Sequence, residues 1–363
     1  MLRFNSDHKF KIMQIADTQE IPAVSPDTLS LINNALDREK PDLVIFTGDQ
    51  IKGYSKKFKK DPAIIESTID ILVEPIAKRN IPFMVTYGNH DAQCGVDNRG
   101  QYKFYAKYDN FISGNLRNAD DVGTADIQIY SSTEDKPMFE LYIIDSHGKA
   151  KDGAGYAPVD KKQIEWYVSR REQLKAENGD YLPSLDVIKK VPKGTKGAVP
   201  AYGEHENEYF VLNDETIAEG GFMLESPASP DVNTGEFEAM SEKGDVLGIY
   251  VGHDHNNSFV VKYKGVDLGY TQGAGFNVYG PGENRGMRIF ELDETAPREY
   301  KTHTATFKEL CGTKIKTPVK EFIYKHAPTS PRAVKPILIK VGIGIAAIAA
   351  VYAAYKFFTG FNI

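Results

Sequence analysis

Four short apolar runs stand out along the chain, and each is bounded by glycine, proline or aspartate. They cover residues 10–16 (FKIMQIA), 43–47 (LVIFT), 81–86 (IPFMVT) and 246–251 (VLGIYV). Short runs that are rich in β-branched residues are typical of buried strands in a layered α/β sheet. We therefore predict an α/β fold in which these four segments form buried strands.

Helical patterns fill the gaps between the predicted strands. One helix is predicted over 26–39, with Ser25 as its N-cap and Pro26 at its first position. An Asp-Pro pair predicts a second helix that starts at residue 62 and reaches residue 79. A third helix, over 161–177, carries apolar residues at helical spacing, which we expect to pack on the sheet.

Polar residues that are common metal ligands follow each apolar run. They are Asp17 and Gln19 after the first run, Asp49 after the second, Asn89, His90 and Asp91 after the third, and His253 and His255 after the last. In open α/β folds, ligands placed just after the strands gather at one edge of the sheet. We therefore expect these residues to converge in space, although they are spread over most of the chain.

These residue types suit a pair of metal ions. Two metals about 3.5–4 Å apart that clamp the oxygens of an in-line displacement need a bridging carboxylate together with oxygen and imidazole donors. Asp49 is the natural bridge. His90 is placed next to Asn89 to donate a proton to a phosphoryl oxygen or leaving group, and Asp91 is placed to orient its imidazole.

The DxQ, GDQ, GNHD and GHDH series resembles the motifs of the calcineurin-like metallophosphoesterase family. The segments 10–17, 41–49 and 233–254 are similar to the branch that contains bacterial phosphohydrolases and plant and fungal purple-acid-phosphatase-like enzymes. The resemblance covers roughly the first 300 residues, more than one motif would. It implies a two-sheet αββα sandwich over residues 1–312, flanked by helices, with both metals at the strand ends.

The family pattern also implies which residues hold the metals. The first metal would be held by Asp17, Gln19, Asp49 and His255, and the second by Asp49, Asn89 and His253. The resemblance implies two divalent ions (Mn, Fe, Zn or Mg). The nucleophile would be a metal-bound hydroxide, because coordination lowers the pKa of water from about 15.7 to about 7. Lys52 stands where purple acid phosphatases have an iron-binding tyrosine, and Tyr54 lies two residues further on, so no iron tyrosinate is expected.

Two positions depart from the family pattern. Gln19 stands where the family usually has histidine, and an amide is a poorer ligand than imidazole for transition metals. The family also has one further histidine, and the matching stretch, 182–192, contains none. His147 and His205 are the remaining candidates in the central region. We predict that His147 contacts substrate, with a replacement ligand or a simple loop residue as the alternatives, whereas His205 fits a surface loop. The second metal is expected to bind more weakly.

Three segments without a regular pattern allow two interpretations each. The basic run 52–60 would either draw an anionic substrate or headgroup towards the metals or form a solvated loop. The Gly-rich segments 152–156 and 272–282 would form either the rim of the substrate site or simple turns.

Composition narrows the class of protein. The net charge of −6 argues against broad nucleic-acid binding, so we expect no nucleic-acid partner. Cys94 and Cys311 are the only cysteines, and the N-terminus has no apolar leader. We therefore expect neither a structural disulfide nor secretion of the catalytic domain.

The C-terminal tail suggests a membrane anchor. After a predicted linker over 313–336, residues 337–358 are almost wholly apolar, and lysines near both ends can extend the segment to the roughly 20 residues that a bilayer needs. Small residues along the segment suit helix pairing, which would allow self-association. Arg332, Lys335 and Lys340 precede the span, which favours a cytoplasmic catalytic domain. An amphipathic or buried helix is the alternative.

Together these features predict a metal-dependent phosphohydrolase that is tethered to a membrane and acts on a phosphoester substrate in the cytoplasm. The alternative is a catalytically impaired pseudoenzyme that binds a phosphorylated ligand or partner at the membrane. The sequence leaves the substrate open between a monoester, a diester, a nucleotide, a lipid headgroup and a phosphoprotein.

Overall fold

The computed structural model describes most of the chain up to residue 326. The described ranges are 1–148, 156–178, 188–191, 199–200, 209–212, 217–228 and 233–326. The predicted membrane anchor at 337–358 and His205 lie outside them, as does most of 182–192. No helix within the described ranges is long and apolar enough to cross a bilayer.

The described residues form seven α-helices. They are α1 (Pro26–Glu39), α2 (Pro62–Ala77), α3 (Asn98–Ala106), α4 (Lys161–Asn178), α5 (Glu236–Ser241), α6 (Phe307–Cys311) and α7 (Pro318–His326). The helix predicted over 26–39 is confirmed, and the Ser25 side chain accepts a hydrogen bond from the backbone of Asp27 at its start. The other two predicted helices, α2 and α4, end within two residues of the expected positions.

Sixteen strands are present in the described part of the chain. The first eight are β1 (Leu2–Arg3), β2 (Lys9–Ile15), β3 (Leu43–Thr47), β4 (Phe83–Thr86), β5 (Asn115–Asn118), β6 (Asp121–Tyr130), β7 (Pro137–Ile143) and β8 (Ile188–Val191). The others are β9 (Val199–Pro200), β10 (Tyr209–Leu212), β11 (Ile217–Met223), β12 (Gly248–Val251), β13 (Asn257–Tyr263), β14 (Val266–Tyr270), β15 (Gly286–Asp293) and β16 (Tyr300–Thr306).

The central sheet has five strands in the order β16-β15-β2-β3-β4. Strands β2, β3 and β4 are parallel, so their carboxyl ends lie at the same edge, and β15 is antiparallel to β2. Along β2 and β3, alternate side chains enter two different cores because successive residues of a strand point to opposite faces. Met13 and Val44 pack with the helices, whereas Ile12 and Leu43 pack against the sheet that contains β6.

The second layer differs from the expected single sheet. The described residues divide it into two four-stranded sheets, one with β1, β5, β6 and β7 and the other in the order β11-β13-β14-β12. A small sheet joins β8, β10 and β9. Strand β7 pairs with β6 and β12 pairs with β14, so no described strand connects β7 to β12. For the same reason β12, predicted as a buried strand, is half-exposed, and Val251 is 42% exposed.

The segment predicted as a linker, 313–336, contains helix α7. This helix lies on the globular part of the chain because the guanidinium of Arg285, which is fully buried, contacts the Glu321 carboxylate at 3.1 Å. A buried charge of this kind requires a partner, and α7 supplies it. A variant without Glu321 would therefore leave Arg285 uncompensated, which makes residue 326 a better place than 312 to end the folded domain.

Glu140 on β7 provides a test of how β7 packs beside β6. Burial, followed by a hydrogen bond to the Asp126 carboxylate, raises its pKa to about 9. The folded protein therefore keeps a proton that the unfolded chain loses above about pH 4.5, and stability falls as the pH rises from there to about 9. We expect Glu140→Gln, which retains a donor, to stabilise the protein by about 2–3 kcal/mol at pH 7.

Urea unfolding of the wild type and this variant at several pH values measures the difference. The gain should vanish near pH 4 and grow with pH, whereas Glu134→Gln in an exposed turn should show no change. Parallel pH profiles for wild type and Glu140→Gln would contradict a protonated Glu140.

Candidate functional site

The loops that follow β2, β3 and β12 meet at one edge of the central sheet. The backbone N–H of Asp17 donates to the Gly48 carbonyl (3.2 Å), and that of Gln19 donates to the Asp49 carbonyl (2.8 Å). The backbone N–H of His253 donates to the Asp17 carboxylate (2.7 Å). These bonds bring together side chains that lie more than 230 positions apart in the sequence.

Four of the polar residues at this edge have left-handed backbone conformations. The φ angles are 51° at Asp17, 36° at Gln19, 53° at Asp49 and 73° at His253. Residues other than glycine avoid this region because the side chain approaches the backbone too closely. Such strain is common at functional sites, where the surrounding structure holds the side chains in place.

Two glycines allow the close approach of the carboxylates. A Cβ atom at Gly88 would lie 2.1 Å from Asp49 Oδ1, and one at Gly252 would lie 2.5 Å from Asp17 Oδ2. Any side chain at either position would displace a carboxylate. The glycines of the GNHD and GHDH motifs therefore make room for the two aspartates.

The Gln19 amide lies between two expected metal ligands. Its nitrogen donates to Asp49 Oδ2 at 3.1 Å and lies 3.1 Å from His255 Nε2, and the side chain is 2% exposed. The Tyr54 hydroxyl donates to the amide oxygen at 3.4 Å. In this arrangement an amide N–H group contacts the atoms that a cation at the first position would contact.

The loop after β14 orients His255. Its Nδ1 lies 2.9 Å from the Tyr279 carbonyl, and the Tyr279 ring stacks on the imidazole at 4.2 Å between centroids. A carbonyl oxygen can only accept, so Nδ1 carries a proton and donates to it, and Nε2 is the nitrogen that faces Gln19 and Asp17. Burial lowers the pKa of His255, but the Asp17 carboxylate, whose Oδ1 is 3.5 Å from Nε2, outweighs burial and raises it.

His90 has a different partner from the one expected. The sequence suggested that Asp91 orients the His90 ring, but Gln93 Oε1 lies 2.8 Å from His90 Nδ1. Asp91 directs both carboxylate oxygens to backbone N–H groups, those of Asp49 (2.7 Å), Gly88 (2.8 Å) and Ile51 (3.2 Å). It thus holds the loops after β3 and β4 together. His90 Nε2 is 4.0 Å from Asp49 Oδ2.

Asn89 and His253 lie where the second metal is expected. The Asn89 amide nitrogen is buried and has no hydrogen-bond partner among the described residues. Burial lowers the pKa of His253 to about 4, so its imidazole is neutral at pH 7, the form that binds metals. The ring of Tyr156 contacts that of His253 edge-on at 4.5 Å.

His147 lies at the end of β7, beside the same loops. A Cβ at its neighbour Gly148 would lie 3.7 Å from the Asn89 Cα. The imidazole approaches Asp160 (3.5 Å) and Asp145 (3.8 Å), and the backbone N–H donates to Asp145. The ring is therefore close to the site but paired with carboxylates outside it.

The charges at this edge fit a divalent cation. Burial raises the pKa of Asp49 well above its usual range, and the nearby carboxylates of Asp91 and Asp17 raise it further. Like charges in a buried cluster are unfavourable unless positive charge compensates them. The described histidines, cysteines and carboxylates do not form a metal cluster by themselves. The amides of Gln19 and Asn89 are needed to complete the set of oxygen and nitrogen donors.

A cavity of about 750 Å³ opens beside these side chains. Asp17, Asp49 and His253 are among its lining residues, together with apolar residues of strands β7 and β12. A concave site with a few polar groups at one end of an apolar wall is typical of small-molecule binding. The cavity therefore gives a ligand access to the site.

The sequence did not point to three of the contacts. They are the contacts of Tyr279 with His255, of Gln93 with His90 and of Tyr54 with Gln19. The positions of these residues in the sequence do not indicate their partners. The 272–282 segment, left open between a rim and a simple turn, supplies Tyr279. Tyr54 was noted only for the absence of an iron tyrosinate, yet its ring is 4.6 Å from that of His90.

Comparison with known proteins gives the same assignment. The family model for calcineurin-like phosphoesterases matches residues 10–257. Two Arabidopsis thaliana proteins named "Probable inactive purple acid phosphatase" 14 and 29 are 29% and 28% identical to the chain. The alignments cover 80% and 83% of this chain and 77% and 81% of those proteins.

A third relative is a fungal enzyme. The Saccharomyces cerevisiae protein named "Phosphatase DCR2" is 32% identical over 190 residues, which cover 46% of this chain and 32% of that protein. The family match extends over more than half of the sequence and includes each loop of the site from Asp17 to His255. The chain therefore belongs to the calcineurin-like phosphoesterase family and is a metallophosphoesterase by membership.

Proposed function

We propose that the chain is a metal-dependent phosphohydrolase, tethered to a membrane by residues 337–358 with its catalytic domain in the cytoplasm. One observation supports the catalytic part above all: the loops after β2, β3, β4 and β12 bring two carboxylates, two amides and three imidazoles to one edge. This set matches the chemistry of divalent ions that act on phosphates. The apolar tail and the lysines and arginine before it support the tether.

Two divalent cations fit the donors at this edge. The first would be held by Asp17, Gln19, Asp49 and His255, and the second by Asp49, Asn89 and His253. When bound, the cations would supply Lewis acidity that stabilises the charge on a phosphoryl group in the transition state. Asp49 would serve both positions, because its carboxylate already contacts the loops on either side.

His90 is the proposed proton donor to the leaving group. The bond between Nδ1 and Gln93 fixes the ring, so Nε2 is the nitrogen that exchanges a proton with substrate. This nitrogen lies 4.0 Å from Asp49 Oδ2 and so faces the proposed metal positions. His147 is proposed to contact the phosphoester, since it is one of the residues that line the cavity.

A second candidate, a pseudoenzyme that binds a phosphorylated ligand, is favoured by the Gln19 geometry. An amide N–H group that already satisfies Asp49 and His255 competes with a cation for both of them. The names of the two Arabidopsis relatives contain the word "inactive", which describes those proteins. The two candidates differ in whether the first position binds a metal.

Metal binding and hydrolysis by wild type and Gln19→His distinguish the candidates. Because imidazole is a better ligand than an amide, we expect the histidine variant to bind Mn²⁺ at the first position roughly tenfold more tightly, a difference of about 1.4 kcal/mol. Metal content after dialysis measures binding, and an aryl phosphate measures turnover. Gln173→His, on the exposed face of α4, is the matched control and should change neither.

The two measurements give separate outcomes. Hydrolysis by the wild type in Mn²⁺ supports the enzyme. An inert wild type together with an active Gln19→His variant would mean that the glutamine at position 19 prevents catalysis in the wild type. If neither protein binds Mn²⁺, the metal-dependent assignment is wrong.

A further inference from the structure

Three apolar side chains of helix α7 are more than half exposed. Val319, Phe322 and Ile323 are 74%, 65% and 59% exposed, and their spacing of i, i+3 and i+4 places them on one side of the helix. The opposite side carries Glu321, which is buried against Arg285. A surface helix ordinarily buries its apolar stripe and exposes its charges. In α7 the apolar side chains are exposed, whereas the charged side chain of Glu321 is buried.

The position of α7 is fixed on the rim of the site. Arg285 also donates to the Gly275 and Val278 carbonyls of the loop that orients His255. Lys320 donates to Asn277 of the same loop. The outward direction of the apolar side is therefore set by bonds on the other side of the helix and does not depend on the apolar residues themselves.

The loop 52–60 contacts α7 through Lys52. Lys52 is 5.2 Å from the Tyr324 ring. Burial first, and then the nearby positive charges of Lys320 and Lys57, lower the pKa of Lys52. Lys56, Lys57, Lys59 and Lys60 are exposed. Within the described part of the chain, no carboxylate forms a salt bridge with these four lysines.

The continuation of the chain indicates what covers this face. Helix α7 ends at residue 326, and the apolar stretch 337–358 begins 11 positions later. At up to about 3.5 Å per residue, that distance is at most roughly 40 Å. If the stretch is in a bilayer, as the proposed function holds, α7 is within reach of the headgroups.

We propose that α7 and the loop 52–60 form a docking face that lies on an anionic membrane surface. The docking face consists of Val319, Phe322 and Ile323 together with Lys56, Lys57, Lys59 and Lys60. The apolar side chains enter the boundary between headgroups and acyl chains, and the lysines contact acidic headgroups. This inference rests on the proposed tether and adds a defined orientation of the domain on the bilayer.

The orientation places the site close to the headgroups. Tyr54, in the same loop as the lysines, contacts both Gln19 and His90. A phosphoester carried by a membrane lipid would thus meet the site without leaving the surface. The docking face therefore favours phosphorylated lipid headgroups over soluble substrates.

Tryptophan quenching in the full-length chain tests the docking face. Trp166 is the only tryptophan, so Trp166→Phe provides a silent background. In that background, Phe322→Trp and Ile323→Trp report on the docking face and Tyr352→Trp reports on the tail. Tyr130→Trp is the control, because Tyr130 ends β6 and pairs with Arg3 of β1, in a different sheet from the strands that carry the site. The protein is reconstituted in phosphatidylcholine vesicles that contain brominated lipid, with or without phosphatidylserine.

We expect strong quenching at positions 322 and 323 with phosphatidylserine, and much weaker quenching without it or at high salt, which screens the lysines. Position 130 should remain unquenched. Lys56→Glu/Lys57→Glu should lower the docking equilibrium constant by at least roughly fivefold for each lysine removed, measured as the ratio of quenched to unquenched protein at one fixed phosphatidylserine fraction. Lys161→Glu/Lys162→Glu on α4 is the matched pair that should have no effect.

Quenching at position 352 without quenching at 322 and 323 would overturn the docking face but leave the tether intact. The reverse pattern would overturn the tether alone. An emission at position 322 that is blue-shifted without vesicles would also overturn the proposal. If this blue shift depends on protein concentration, a second copy of the chain covers the docking face. If it does not, the tail of the same chain covers it.

Discussion

Asp49→Asn should abolish metal-dependent phosphoester hydrolysis, a loss of at least about 10³-fold for the several kcal/mol that the metals contribute. The substitution keeps the size of the side chain, which is 2% exposed, but removes the charge shared by both proposed metal positions. An amide also carries hydrogens on one end, so it cannot accept from both the His90 backbone and the Gln19 amide, as Asp49 does. Initial rates on an aryl phosphate across a Mn²⁺ titration measure the effect.

Thermal unfolding separates the loss of catalysis in Asp49→Asn from a loss of the folded structure. In EDTA the asparagine variant should remain folded, because relief from the charges of Asp91 and Asp17 offsets the hydrogen bond that the amide cannot accept. The stabilisation that Mn²⁺ gives to the wild type, about 2.7 kcal/mol at 100 times the dissociation constant, should be lost. Unchanged activity of Asp49→Asn in Mn²⁺ would exclude the two-metal assignment.

His90→Ala should lower turnover by about 10²–10⁴-fold, the usual contribution of a positioned acid, and leave the metal content nearly unchanged. The side chain contacts Gln93 and Tyr54 at the rim, and it lies 4.0 Å from Asp49. Single-turnover rates and metal content of the same samples give both quantities.

Gln93→Ala is the informative companion. It retains the imidazole but removes the acceptor at Nδ1, so the loss should be smaller, about 10–100-fold, as for other residues that orient a catalytic group. If His90→Ala instead loses its metals and keeps its rate per bound metal, His90 is a ligand and the proton donor must be sought elsewhere.

Local signals predicted the elements that position the site. Ser25 and Pro26 fix the start of α1 through the backbone groups that immediately follow, so the sequence contains the whole interaction. The convergence of Asp17 and Asp49 follows from the rule that parallel strands end at one edge. These expectations depend only on neighbours in sequence or on a general property of parallel sheets.

Interactions between distant segments could not be predicted in the same way. The division of the second layer depends on β12 pairing with β14, a strand that comes later in the chain. Strand propensity carries no information about such partners. The Arg285–Glu321 pair packs helix α7, in a segment predicted as a linker, on the residue that precedes β15, and these two segments share no motif. The roles of Gln93 and Tyr279 depend on loop conformations of the same kind.

The left-handed backbone at Asp17, Gln19, Asp49 and His253 has a consequence for how the sequence can change. Glycine would relieve the strain at each position, roughly 1 kcal/mol or more per residue, without altering the course of the chain. A library selected for thermal stability alone should therefore accumulate glycine at these four positions. A library selected for metal uptake should retain the side chains, so the residues that survive would reveal which requirement keeps this edge of the protein under selection.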